Sequence, residues 1–314
     1  MLTVHQSNRL EALADGLADV LAQPLASVFA SEIVVVQSRG VARWLSLRLA
    51  DRAGICANVR FPFPAAFTWE LYRCAFGYLP EQSSSDPGVL TWRILDLLPE
   101  LEDSAGFEAV KRYVAGSDLR RFELAARLAE LYDEYLVYRP DWIASWERES
   151  SADWQGQLWR RLSAESAGAH GARLNREFMK LLATDAAPVS IPQRVCVFGA
   201  PALAPSVLEL LCALASRRDV HLFIQNPCSA YWGDIASERT IARKRVQGKS
   251  DAAYLDTGNS LLASFGKQGR DFIDLLAGLS GDGAGERDSF IDPSRETRLA
   301  SIQSDILELE ELTP

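Results

Sequence analysis

Two hydrophobic periodicities alternate along the chain. Short apolar or β-branched runs are followed by polar loops, and then by apolar positions three and four residues apart, which predicts strand–turn–helix units. MLTVH at residues 1–5 leads through Ser7 and Asn8 to Leu10, Leu13, Leu17, Val20 and Leu21, with Ser7 or Asn8 expected to cap the helix. Ile33 to Val36 leads through Gln37-Ser38-Arg39-Gly40 to Val41, Trp44, Leu45 and Leu49. From Arg194, VCVFG is followed by APALAPSVLELLCALASRR and then VHLFIQNPC, a strand, loop, helix and strand. Three such units predict a parallel sheet with helices on its faces.

Between these units, residues 66–186 are almost wholly helical in pattern. EQSSSDPG (81–88) and AESAGAHGA (164–172) interrupt the pattern as loops. The fold expected is therefore α/β, a parallel-sheet core carrying a large inserted helical subdomain. The core would take 1–74 and 187–228 and the insertion 75–186, with 229–314 a mainly helical or irregular extension. That extension is read as one helix near 258–279, a Gly/Asp-rich loop SGDGAGERD at 280–288, and a short acidic helix in IQSDILELEELTP. No internal repeat is visible.

With 314 residues, 48% of them apolar, the chain has material for a sizeable core. A net charge of −9 argues against a free-standing, charge-driven nucleic-acid binder but leaves room for a local basic groove. The five cysteines have no CxxC spacing and read as free thiols in a reducing cytoplasm. No apolar run is long enough to span a bilayer, and no signal-peptide pattern opens the chain. A cytoplasmic location is expected.

Catalytic patterns fall short. Gly248-Lys249-Ser250 resembles the end of a phosphate loop, but its first Gly would fall on Arg243 and no apolar strand precedes it. Gly266-Lys267 is followed by Gln268 and fails the same test. His5, His170 and His221 lie far apart along the chain and read as structural. There is no GxSxG elbow, and Asp141 after Pro140 has no Glu-x-Lys strand to complete a nuclease metal site. No cofactor or metal is expected.

Seven segments, in order, carry a family resemblance: HQSNRLEALADGLADVL, VVVQSRGVARWL, NVRFPFPAAFTWELY, YDEYLVYRPDW, IQNPCSAYWGDI, GNSLLASFGKQGRDFIDLL and IQSDILELE. Together they resemble the N-terminal part of the RecC family, the gamma chains of bacterial exodeoxyribonuclease V. The resemblance implies a core like a superfamily 1 helicase motor domain with its motor residues lost. In an active motor the first strand would be followed by a phosphate loop. Here His5-Gln6-Ser7-Asn8-Arg9-Leu10 stands there, with neither Gly nor Lys. The later strand, Val195–Phe198, would end in a metal-binding acidic pair, and here it ends in Gly199-Ala200-Pro201. No ATP hydrolysis is expected.

The same resemblance places VQSRGVARWL where an active helicase carries its first single-strand-contacting motif. It implies a tunnel that scans a 3′-tailed strand and, in well-studied members, recognises the Chi hotspot. The matching positions are Gln37, Arg39, Arg43, Phe63, Trp69, Glu130, Leu131, Asp133, Glu134 and Arg139. Their chemistry suits the task. Arg39 and Arg43 are one helical turn apart, and Phe63 and Trp69 are aromatic faces beside prolines that stiffen a loop. Carboxylates and Arg139 sit among three tyrosines. At Arg39, Arg43 and Phe63 the residue types depart from the family pattern, so base specificity is expected to differ or be absent. Full gamma chains are several times longer, so this chain is expected to be a truncated portion. The partners implied are single-stranded DNA and the alpha and beta chains (RecD and RecB type), with no membrane. Two readings compete: a non-catalytic DNA-scanning subunit, and a protein–protein scaffold packed against the motor subunits. Arginines gathered in one groove favour the first, and a large exposed apolar face the second.

Overall fold

The computed structural model describes residues 1–148, 153–165, 170–184, 191–236, 240–242, 258–280 and 284–311. Six strands form one parallel sheet in the order β3-β2-β4-β5-β1-β6. They are β1 (Leu2–Ser7), β2 (Glu32–Val35), β3 (Val59–Arg60), β4 (Arg194–Phe198), β5 (Asp219–Gln225) and β6 (Gly285–Asp288). The expected strands at Ile33 and Val195 are hydrogen-bonded neighbours, with Ile33 opposite Val195 and Val35 opposite Val197. β4 is buried at every residue, as an inner parallel strand covered on both faces requires.

The chain forms two compact units. The first holds the sheet and comprises 1–67, 192–203 and 207–314. On one sheet face, Leu13, Leu17 and Val20 of α1 (Leu10–Leu21) and Leu45 and Leu49 of α2 (Arg39–Ala53) pack on Val34, Val36, Cys196, Phe198 and Phe223. The second unit comprises 68–191 and 204–206 and is helical. Its core joins α4 (Pro87–Leu101), α6 (Asp118–Tyr138) and α8 (Trp154–Glu165) through Ile94, Leu98, Leu128, Tyr132, Leu158 and Trp159. The loop at 81–88 ends as its composition demands, since Asp86 caps α4 by accepting from Gly88 N–H at 2.9 Å and Pro87 opens the helix.

Several local expectations are corrected. Gly285–Asp288 is strand, paired in parallel with Thr3–Gln6, although its composition reads as loop: an edge strand draws its order from the neighbouring ladder. Val59–Arg60 is likewise a strand set by pairing with β2. The helix expected across 258–279 is two, Ser260–Phe265 and Lys267–Ser280, separated at Gly266. The last helix is Arg298–Leu307, capped by Thr297, and stops before most of the acidic run. Arg9, not Ser7 or Asn8, is the N-cap residue of α1, and no side chain caps that helix. Ser7 and Asn8 are held elsewhere. Gly248-Lys249-Ser250 lies outside the described residues.

Two of the histidines, distant in sequence, meet in the fold. Pairing of β1 with β5 brings His5 Nε2 to 3.2 Å from His221 Nδ1 across 216 positions of sequence. His5 also stacks on Phe223 with ring centroids 4.2 Å apart. Burial, then His221 and Arg287, lower the His5 pKa to about 4. Burial lowers that of His221 as well.

Candidate nucleic-acid interface

Because all six strands are parallel, the loops that follow them gather at one edge of the sheet, the edge where ligands sit in open α/β folds. At the end of β2, Ser38 has extended backbone and its hydroxyl accepts from Val41 N–H at 3.1 Å, so α2 begins sharply at Arg39. The first turn of α2 holds no acidic residue, which leaves the positive end of the helix uncompensated. Gln37 is exposed but donates from Nε2 to the Ala202 carbonyl at 2.5 Å. Val36 N–H donates to the Pro62 carbonyl at 3.1 Å, tying this loop to the one after β3, where Phe63 is 40% exposed.

The four arginines of α2 after its start and at it divide into two kinds. Arg48 and Arg52 are turned to α1, where Arg48 meets Asp15 at 3.3 Å and Arg52 meets Asp15 at 3.1 Å and Asp19 at 2.6 Å. Arg39 and Arg43 are exposed, one turn apart, and make no ion pair among the described residues. Arg9, at the end of β1, is also exposed and without an ion pair there; sequence reading passed over it, and its only signal was an arginine at a strand-to-helix boundary.

The remaining candidates belong to the helical unit and differ among themselves. Trp69 lies within α3 (Pro64–Phe76), not on a loop, because the apolar spacing after Pro64 continues the helix. Its Nε1–H is shared between the carbonyls of Pro80 at 3.2 Å and Glu81 at 3.1 Å, and its ring meets Tyr72 edge-on. Leu131 packs on the helical core. Glu130 is exposed and paired with Arg127 at 2.8 Å. Asp133 and Glu134 are exposed on α6. Desolvation, then Asp86 and Glu134, raise the Asp133 carboxyl above its ordinary value. Arg139 ends α6 and lies over the Trp142 ring at 4.1 Å. The three tyrosines of this segment do not act alike: Tyr132 is fully buried and donates to the Gln155 carbonyl at 2.7 Å, Tyr135 is half-buried and Tyr138 is exposed.

The place after β1 is filled by protein. Ser7 Oγ donates to the Ser289 carbonyl at 2.7 Å and accepts from Arg9 N–H at 3.1 Å. Asn8 exchanges two hydrogen bonds with Ile291, 2.8 Å from its Nδ2 and 3.0 Å to its Oδ1. Asn226 donates to Gln6 Oε1 at 2.8 Å and accepts from the indole N–H of Trp232 at 2.9 Å. After β4, Gly199 takes φ +63°, which favours glycine, and its N–H donates to the Phe223 carbonyl at 3.0 Å. Among the described residues, no three His, Cys, Asp or Glu side chains converge as metal ligands.

Residues 2–309 match the family model described as "RecC, N-terminal domain". The chain belongs to the RecC family. RecBCD enzyme subunit RecC of Escherichia coli K12 is 37% identical over 99% of this chain and 31% of its own length. The subunits of the same name from Haemophilus influenzae and Mycolicibacterium smegmatis are 32% and 31% identical, over 88% and 97% of this chain. The chain thus spans less than a third of these RecC relatives. No helix among the described residues is long and apolar enough to cross a membrane.

Proposed function

We propose that this RecC-family chain is a non-catalytic, DNA-handling part of a RecBCD-type helicase–nuclease acting in double-strand-break repair. Single-stranded DNA would cross the carboxyl edge of a helicase-like sheet, with Chi-like sequence read by residues of the helical unit. The partners would be the alpha and beta chains, of RecD and RecB type. One observation carries this reading: Arg39 and Arg43 make no ion pair among the described residues and stand at an uncompensated helix start, while Arg48 and Arg52 on the same helix are neutralised by α1. Two exposed cations at the ligand edge of the sheet match the charge of a phosphate backbone. Loss of ATPase chemistry is supported by Asn8 and Ser7, whose polar groups are spent on Ile291 and Ser289 where a phosphate loop would present backbone N–H groups.

Fluorescence anisotropy with a labelled oligonucleotide tests the reading. Binding should be weak, fall as salt rises, and drop for Arg39→Ala and Arg43→Ala. Absence of binding by the unaltered chain at low salt would favour the scaffold reading, which the net charge of −9 and an exposed apolar cluster on the helical unit support.

A further inference from the structure

The chain carries 42 acidic residues in 314 and a net charge of −9, yet one edge of its sheet is spared them. Along the carboxyl edge, in the strand order β3-β2-β4-β5-β1, the strands are followed by 61–63, 36–38, 199–203, 226–233 and 8–9. None of these stretches holds an Asp or Glu. The acid-free run ends at β1, because β6, the edge strand beyond it, is followed by Asp292. Glu11, in the first turn of α1, stands at its margin.

The run carries cations at two separate places. Arg39 and Arg43 follow β2, and Arg9 follows β1. All three are exposed and make no ion pair among the described residues. β4 and β5 lie between β2 and β1, so at about 4.8 Å per strand the two places are about 14 Å apart along the edge, the length of a few nucleotides. The loop after β4, Gly199-Ala200-Pro201-Ala202, is small and neutral and is tied to both. Gln37 Nε2 donates to the Ala202 carbonyl at 2.5 Å, and Leu10 Cδ2 lies 3.7 Å from where a Cβ on Gly199 would stand. A compact anion would need its cations gathered at one point. Two cations, a neutral floor and a third cation in a row suit an extended polyanion lying across the sheet.

We infer that Arg9 is a further phosphate contact, and that a nucleic-acid strand crosses the sheet from Arg39 and Arg43, over the Gly199 loop, to Arg9. This rests on the DNA-handling reading above and adds to it a contact residue and a path. The contact is to phosphate and carries no base preference.

The test follows the anisotropy of a labelled dodecamer of thymidylate with the 314-residue chain over a range of salt. Arg9→Ala should weaken binding several-fold at low salt and reduce the slope of log affinity against log salt by about 0.7, the share of one phosphate. Arg9→Lys should keep the slope, and Glu11→Gln should raise affinity. The path is tested by placing a carboxylate on it. Pro201 is exposed, and Pro201→Glu should weaken binding where Pro201→Gln does not. Val28→Glu, on the exposed loop before β2 at the opposite edge, should have little effect. The Arg9 side chain makes no cap bond to α1, so the thermal midpoint of Arg9→Ala should not move. If Arg39→Ala/Arg43→Ala weakens binding while Arg9→Ala and Pro201→Glu do not, the path is wrong and the DNA-handling reading stands. If Arg9→Ala lowers the midpoint and leaves the slope alone, Arg9 acts through the fold and the inference is overturned. If the unaltered chain shows no binding at low salt, both fall.

Discussion

Arg39 and Arg52 are the same side chain on the same helix with opposite employment. Arg52 holds α2 to α1 through Asp15 and Asp19, and Arg39 holds nothing among the described residues. Substituting each to Ala separates the roles. Arg39→Ala together with Arg43→Ala should reduce the slope of log affinity against log salt by about 1.4, since each phosphate neutralised on a single strand contributes about 0.7. The thermal midpoint should not move. Arg52→Ala should lower the midpoint and leave the slope alone, and a reversed pattern would show that the arginines have been assigned the wrong way round. His5 makes a second prediction. Its pKa is lowered from 6.5 to about 4 by burial, His221 and Arg287, so between those values the unfolded chain takes a proton that the folded chain refuses. Stability is therefore full above pH 6.5 and falls as pH drops towards 4, by up to roughly 3 kcal/mol. Burial lowers the His221 pKa as well, with Asp219 opposing and Arg194 adding to that shift. Urea unfolding of the unaltered chain and of His5→Phe across that range should show a smaller acid loss in the variant.

β6 shows how far an element can owe its existence to its neighbours. Gly-Glu-Arg-Asp has poor strand propensity, yet it lies in register with Thr3–Gln6, and the chain beyond it returns hydrogen bonds to Ser7 and Asn8. Those contacts pin the first strand–helix turn, since α1 has no side-chain cap of its own. Removing Asn8's amide should therefore loosen β6 more than α1. Asn8→Ala is expected to speed hydrogen exchange at Ile291 and along 286–289 and to cost about 1 kcal/mol, the net worth of a typical hydrogen bond. Unchanged exchange there would mean that β6 is held by the ladder alone. α2 is the contrasting case. It starts at Arg39, inside the stretch that reads as loop in sequence, because the Ser38 cap acts within its own turn.

For the whole molecule, the proposed function has the polar groups after β1 and the glycine turn after β4 standing where an active motor would carry the two halves of its nucleotide site. Isothermal titration with ATP and Mg²⁺ should give no heat above dilution. Micromolar affinity, lost in Asn8→Ala, would show that the Ser7–Asn8 turn opens to phosphate. The acidic balance of the chain, −9, means that any affinity for DNA comes from local arginines working against the overall field.

The sequence by itself determined the α/β class, the inner strands and the long helices, because burial on both faces writes continuous β-branched runs and one-sided burial writes a 3.6-residue period. It also determined the family, through ordered motifs spread along nearly the whole chain. Tertiary structure decided what depends on residues distant in sequence: the His5–His221 contact, the strand at Gly285–Asp288, and which of the four arginines on α2 are ion-paired to α1. It also decided that Tyr132 and Leu131 face the core while Asp133 beside them faces water. Local sequence sets a residue's chemistry, but only the partners brought to it by the fold determine whether that chemistry is already spent.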